Sequence, residues 1–365
     1  MDTLKVGLIG TGDIAPAYMR GCAPFDIINI VACADILPDK AEAFATAHGL
    51  NAYSVDDLLA RGDIDIIINA TVPAAHAEVS LQIIEAGKHA YSEKPLAVNR
   101  SEAEPLIQAA KAAGLRLGCA PDALLGGGNQ TARVAIDDGA IGQPIAATAF
   151  FLGRGPESWH PNPDIFYQRG GGPLLDMGPY FLTALVNLLG PVTRVSGSAR
   201  KTFRERIATS EAHRGRALPV EVNTHIAGAL EFANGAIATL ITSFDIWGHH
   251  LPALEIHGGD GSLSLRKPNM FDGDVQLLQA GSREWEILPF SHTTDIGRGA
   301  GVADMAYAIQ SGRPHRASGE LAFHVLDIMC ALEESAVQGR RISVQSRVER
   351  PQPLPAGLAD GQLDF

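Results

Sequence analysis

Four residues apart in GGGPLLDMGPY (Gly170–Tyr180) stand a carboxylate, Asp176, and a phenol, Tyr180. That spacing is one helical turn plus a little, so both groups project from one face if helical geometry has begun. A carboxylate and a phenol side by side can hold and exchange a proton. Three glycines precede the pair, and the apolar run YFLTALVNLLG follows the start of a helix. The stretch reads either as a joint before a core helix or as an active-site wall whose glycines let the chain lie flat against a ligand. In the plainer reading Asp176 caps the helix amides and Tyr180 packs in the core over Ala184. Pro179 is expected in the first turn of this helix, where a missing N–H costs little.

A second constellation opens the chain. LKVGLIG reads as a short apolar strand, and it runs into GTGDIA: Gly10, Thr11, Gly12, Asp13, Ile14, Ala15. Between a strand and a helix, G-x-G-x-x-A is the fingerprint of a dinucleotide site. Gly10 permits the tight turn, Gly12 lets the backbone approach a pyrophosphate, and Ala15 is small enough for close helix–strand packing. The anion would sit on the helix N-terminus. Asp35 ends the next strand, IINIVACAD, where a carboxylate can accept from the adenosine ribose and repel a 2′-phosphate. Two charges about 4 Å apart at an effective dielectric near 20 interact by roughly 4 kcal/mol. Half of that is still about 30-fold discrimination. NAD is therefore expected in preference to NADP, with Lys40 a partial compensation.

The elements around these residues change character along the chain. Up to about residue 121, near-continuous apolar strands (IDIIINATV, HAYSE, RLGCAP) alternate with helical stretches such as DKAEAFATAHG and SEAEPLIQAAKAAG. That pattern implies an α/β Rossmann domain, a parallel doubly wound sheet covered on both faces, over residues 1–121. Beyond it, after a helix at GNQTARVAIDDGAIG, strands follow one another with turn signals such as ANG and GDG. An α+β domain with an open, mostly antiparallel sheet is expected over 122–338, ending in helices at about 298–312 and 319–338. A Pro- and Gly-rich extension, 339–365, is expected on the surface or against a neighbouring subunit. Glycines 126–128 read as a flexible turn.

Composition narrows the partners. The 365 residues carry a formal charge of −12, with no basic block to attract nucleic acid or an anionic membrane. No apolar run approaches the ~18–20 residues of a membrane span, and the start lacks the pattern of a signal peptide. The four cysteines are not closely paired, which points to a reducing cytoplasm and no disulfide framework. His249-His250 reads as a solvated loop, and no motif supports a metal.

Two further segments complete a pattern: NATVPAAH (Asn69–His76) and SEKP (Ser92–Pro95), each following a strand of the first domain. With GTGDIA and GGGxLLDMGPY, in this order and spacing, they make the chain similar to the Gfo/Idh/MocA oxidoreductases. The resemblance covers nearly the whole chain. It implies that Thr71, Pro73, His76, Glu93 and Lys94 join the fingerprint residues around the cofactor. It also implies that the C-terminal sheet forms a homodimer or homotetramer. Lys94 would lie beside the nicotinamide and the reacting oxygen. Asp176 matches the aspartate of the family's D-x-G-x-H motif, and Tyr180 replaces its histidine. Trp159 and His160 fall where relatives place Trp-Arg against cofactor or substrate. Where the family shows an Asn-x-Arg-like segment this chain reads APDALLGGGNQ, so Asp122, Asn129 and Gln130 become candidates for substrate selection.

The activity implied is NAD-dependent oxidation of a CH–OH group in a cyclic sugar, sugar derivative or inositol. Lys94 would hold the oxygen, Tyr180 exchange the proton and Asp176 orient Lys94 or a substrate hydroxyl; Lys94 or His160 could instead be the acid/base. An NAD-dependent glycoside hydrolase and a non-catalytic NAD sensor are the alternatives. Removing the acceptor at the second strand end tests the cofactor reading: Asp35→Ser should move the NAD-to-NADP ratio of kcat/KM toward NADP by about 30-fold. An unmoved ratio would refute it.

Overall fold

The computed structural model describes residues 2–359 and 361–364. Its first third is β1 (Leu4–Ile9), α1 (Ala15–Cys22), β2 (Ile28–Ala34), α2 (Pro38–His48), β3 (Asn51–Tyr53), α3 (Val55–Ala60), β4 (Ile66–Asn69), α4 (His76–Glu85), β5 (His89–Ser92), α5 (Arg100–Ala113) and β6 (Leu117–Cys119). The six strands form one parallel sheet in the order β3-β2-β1-β4-β5-β6. Every residue of β4, IIIN, is buried, as a strand covered on both faces requires. The expected strands and helices of this region are all present. β3 and α3 were not expected, because three and six residues are too few to establish a period. Ser54 starts α3 by accepting the amide of Asp57 at 3.1 Å.

Register places Ala34, Ile9, Asn69, Ser92 and Cys119 side by side across five strands. The segments leaving these residues therefore emerge from a single edge. The order reverses between β1 and β4, which is where ligands bind in open parallel sheets.

The chain continues through α6 (Gly127–Asp137), β7 (Pro144–Leu152), α7 (Gly172–Leu189), β8 (Val192–Arg200), β9 (Glu205–Ile207), β10 (Ala217–Pro219), β11 (His225–Phe232), β12 (Ile237–Ser243), β13 (Leu254–Gly258), β14 (Gly261–Leu265), β15 (Val275–Gln279), β16 (Glu286–Ile287), α8 (Ala300–Ser311), α9 (Gly319–Gln338) and β17 (Ile342–Ser343). Nine strands make the second sheet, in the order β16-β15-β14-β13-β7-β12-β11-β8-β17. It is antiparallel except for β7 beside β12. The mostly antiparallel expectation holds. β9 and β10 pair separately.

Two compact units result. One comprises Met1–Gln130, Phe290–Phe323 and Pro351–Phe365, the other Thr131–Pro289 and His324–Arg350. The extension expected over 339–365 is divided: β17 joins the second sheet beside β8, and the chain from Pro351 onward belongs to the first unit. Arg316 donates to the carbonyls of Gln352 and Pro353 at 3.1 Å each, and Gln130 Oε1 accepts the Leu354 amide at 2.9 Å. The Gly126–Gly128 stretch is no flexible turn: α6 starts at Gly127, packed against the backbone of His292 and Thr293. Among the described residues no helix is long and apolar enough to cross a membrane.

Candidate functional site

In the first unit the fingerprint is drawn into shape by Asp35. Its Oδ2 accepts the Thr11 amide at 2.8 Å and the Thr11 hydroxyl at 2.9 Å, and its Oδ1 accepts the Leu37 amide at 3.0 Å. Burial pushes this carboxyl up, but the amides, the hydroxyl and Lys40 together hold it below the usual range. Gly10 has φ +94°, and a Cβ there would fall 2.7 Å from the Ala70 carbonyl, so only glycine fits. Gly12 differs: an added Cβ would meet nothing within 4 Å. Asp13 is exposed, Ile14 half-buried and Ala15 fully buried. Beyond Asp35 a cleft of about 510 Å³ runs past Ile36, Pro38, Tyr53 and Ser54.

The loops after β4 and β5 are tied to each other. Asn69, buried in the strand-end row, accepts from the Thr71 hydroxyl at 2.6 Å and donates to the His76 carbonyl at 2.9 Å. Pro73 opens the single turn before α4. His76 is 1% exposed, its Nδ1 2.6 Å from the Pro95 carbonyl and its Nε2 3.1 Å from the Thr71 carbonyl. Burial lowers its pKa against the pull of those carbonyls and of Glu93. Its side chain thus bridges two loops within the protein.

Lys94 is half-buried, and its peptide bond to Pro95 is cis. Glu93 beside it is buried and accepts from Tyr18 of α1 at 2.9 Å, from Arg298 at 2.5 Å and from the Lys94 amide at 3.0 Å. Asp122 takes a different place from the one expected. It is 2% exposed, and its Oδ2 accepts the amides of Gly299 and Gly301 at 2.7 and 3.0 Å. It therefore caps α8 instead of facing a substrate. Burial keeps its carboxyl above the usual range despite Arg298 and the two amides. Asn129 and Gln130 are buried as well, donating to the carbonyls of Ala123 and Leu124.

In the second unit, α7 begins at Gly172, with Gly171 before it and Pro173 in its first turn. Asp176 and Tyr180 thus lie on helix already formed, one above the other on one face. Asp176 is too far inside to be the cap. Pro179 is also interior, so the Leu175 carbonyl lacks its i+4 donor. The glycines answer to the protein's own backbone: a Cβ on Gly171 would fall 2.4 Å from the Ile165 carbonyl, and Gly172 has φ +89°. Tyr180 is 8% exposed and Asp176 half-buried.

Trp159 is 68% exposed and stands edge-on to His160 at 5.3 Å. His160 Nδ1 accepts the Asn162 amide at 3.0 Å, so Nε2 carries the proton of the neutral ring. A buried triad anchors this segment. Glu157 accepts from Arg206 Nε at 3.0 Å and from the Tyr167 hydroxyl, while Arg206 Nη1 reaches Asp245 at 2.6 Å.

Comparison with known proteins decides the family. Residues 4–120 match "Oxidoreductase family, NAD-binding Rossmann fold" and residues 129–264 match "GFO/IDH/MocA C-terminal domain". A dTDP-3,4-didehydro-2,6-dideoxy-alpha-D-glucose 3-reductase of Streptomyces antibioticus is 31% identical over 325 residues, 84% of this chain and 97% of that protein. The chain belongs to the GFO/IDH/MocA oxidoreductases. An inositol 2-dehydrogenase of Rhizobium meliloti is 25% identical over 94% of this chain and 99% of its own. A levoglucosan dehydrogenase solved with NADH and levoglucosan shares the fold, with TM-score 0.82 and 23% identity over 94% of this chain and 100% of that one.

Within this GFO/IDH/MocA chain, Arg298, Tyr18 and Asn69 hold the loops that carry the sequence-predicted residues, and sequence reading did not single them out. Arg298 lies 205 residues from Glu93, and only folding joins them. Burial pushes the Glu93 carboxyl up, yet Arg298, Lys94, Tyr18 and His76 keep it below the ordinary glutamate range. Because the folded value is depressed, its contribution to stability is complete above the unfolded pKa of about 4.3 and is lost as pH falls through the folded value. Glu93→Gln should cost about 1.5–3 kcal/mol at neutral pH by urea unfolding. Its stability should fall less steeply than wild type below pH ~4.3, and equal slopes would refute the role given to this carboxylate.

Proposed function

We propose that this protein is an NAD-dependent dehydrogenase that oxidises a secondary alcohol of a cyclic sugar, sugar derivative or inositol. The observation that carries the reading is the pairing of Asp35, fixed by Thr11 at the end of β2, with the open space over Gly12. A pyrophosphate fits over Gly12 and the amides that open α1, and the Asp35 oxygens keep lone pairs for ribose hydroxyls. Thr11, Asp13, Ile14, Thr71 and Pro73 would line the rest. His76 would position the loops without touching the cofactor. NAD, when bound, supplies the hydride acceptor.

The chain's residues then have proton and oxygen to manage. Lys94 would hold the substrate oxygen, and Tyr180 would take the hydroxyl proton. Asp176, on the same helix face as Tyr180, would orient Lys94 or a second hydroxyl. His160 is the less available proton acceptor, because Nδ1 already accepts the Asn162 amide. Trp159, exposed beside it, would offer an apolar face to a ring. The relatives' names, among them an inositol dehydrogenase and a sugar reductase, support a ring-shaped polyol substrate.

A homodimer or homotetramer through the second sheet belongs to this reading, supported by the exposed Ile237 on the outer face of β12. So does a cytoplasmic location, supported by four cysteines without disulfides.

A near-ultraviolet screen for NADH over sugars, inositols and glycosides tests the reaction: stoichiometric NADH supports the dehydrogenase, while bond cleavage without net reduction replaces it with the glycosidase. On the best substrate, Lys94→Ala and Tyr180→Phe should each lower kcat by about 10²-fold or more. NAD affinity of Tyr180→Phe should stay unchanged. Near wild-type turnover in both folded variants would refute the proton assignment.

A further inference from the structure

The second unit contains a cavity of about 530 Å³ that none of the residues assigned above lines. It lies against α7 through Met177 and Phe181, each the neighbour in sequence of a residue given catalytic work, Asp176 and Tyr180. On a helix, 177 and 181 form the face next to 176 and 180, about 100° round the axis. The remaining walls come from the end of β7, the approach to β13 and the turn joining β14 to β15. The cavity is of the size and mixed character of small-molecule sites.

Its chemistry is uneven in a useful way. Phe150, Phe151, Phe181 and Leu251 give apolar walls. Arg266 and Lys267 are exposed at the turn, and among the described residues neither forms an ion pair. His249 also lines the cavity; its Nδ1 accepts the Leu251 amide at 3.2 Å, so its neutral ring donates through Nε2. Among the described residues Asp274 is the one acidic residue that lines it, so cations outnumber anions there. In a chain of net charge −12, an unpaired Arg-Lys step beside apolar walls is locally out of character.

We propose that this cavity is an anion-accepting subsite for the phosphate- or carboxylate-bearing end of a substituted sugar, with Arg266 and Lys267 binding the anion. The sugar-substrate part of this proposal rests on the dehydrogenase reading; the anion site itself does not. The turn between β14 and β15 carries both cations, and Arg266 offers a planar fork to either anion.

Titration calorimetry on the full chain, saturated with NAD and at low salt, tests it with phenyl phosphate, benzoate and the neutral control benzyl alcohol. At least one anion should bind ten-fold or more tighter than benzyl alcohol, with the advantage shrinking as salt rises. The tighter of the two anions identifies the preferred group. Arg266→Ala/Lys267→Ala should lose that advantage, while its NAD affinity stays at the wild-type value. Both side chains are exposed, so the variant should fold, and unchanged NAD binding reports that it has. Equal binding of anions and benzyl alcohol by wild type, or an advantage that survives in the double variant, would overturn the proposal. Failure to bind NAD in the same titration would refute the dehydrogenase reading and leave the anion comparison standing.

Discussion

A single line of register organises the first unit. Because β1, β2, β4, β5 and β6 are parallel and in step, Ala34, Ile9, Asn69, Ser92 and Cys119 stand in one row, and whatever follows each strand emerges at the same edge. Backbone bonds continue the row outward: the Gly10 amide donates to Ala34 O, the Ala70 amide to Ile9 O, and the Glu93 amide to Asn69 O. Parallel pairing would be pointless at this edge if the emerging loops then wandered. Asp35, His76 and Glu93 prevent that by reaching a neighbouring segment, while Asn69 closes its own loop onto Thr71 and His76. The geometry of a cofactor site is thus prepared by buried hydrogen bonds that need no ligand to form.

The second unit solves a different problem. α7 is buried on nearly every side, so its position is set by packing, and a polar pair on it inherits that rigidity. Gly171 and Gly172 bring the helix start close to backbone that any side chain would push away. Pro179 then leaves the carbonyl of Leu175, just before Asp176, without its helical donor. Glu157, Arg206 and Asp245 give the segment before α7 comparable firmness. Such a buried triad costs desolvation, and its return is a fixed arrangement of the chain around it.

Local periodicity and turn chemistry made most elements legible: the apolar strands, the glycine fingerprint, the hairpin at Gly259–Asp260 and the two last long helices all announce themselves within a dozen residues. What stayed hidden was partnership at long range. Nothing near β7 tells it to lie parallel to β12, some ninety residues away. Asp122 looked like a substrate contact because its local segment departs from the family pattern, yet the amides it caps lie 177 and 179 residues further on. Arg298 is equally invisible beside Glu93. Pro179 misled for a local reason: the glycines preceding it suggested a later helix start than packing imposes. The residues proposed for chemistry were readable by type and spacing; those that hold them became visible only in the fold.

The claim on which the account turns is that a dinucleotide pyrophosphate occupies the open space at Gly12. Equilibrium titration of NAD into Gly12→Val, followed by protein fluorescence alongside a thermal melt, tests it most directly. Since Gly12 is exposed and an added Cβ meets no protein atom within 4 Å there, the melting temperature should stay close to wild type while NAD affinity falls by at least 10²-fold. A variant that binds NAD as tightly as wild type would contradict the account.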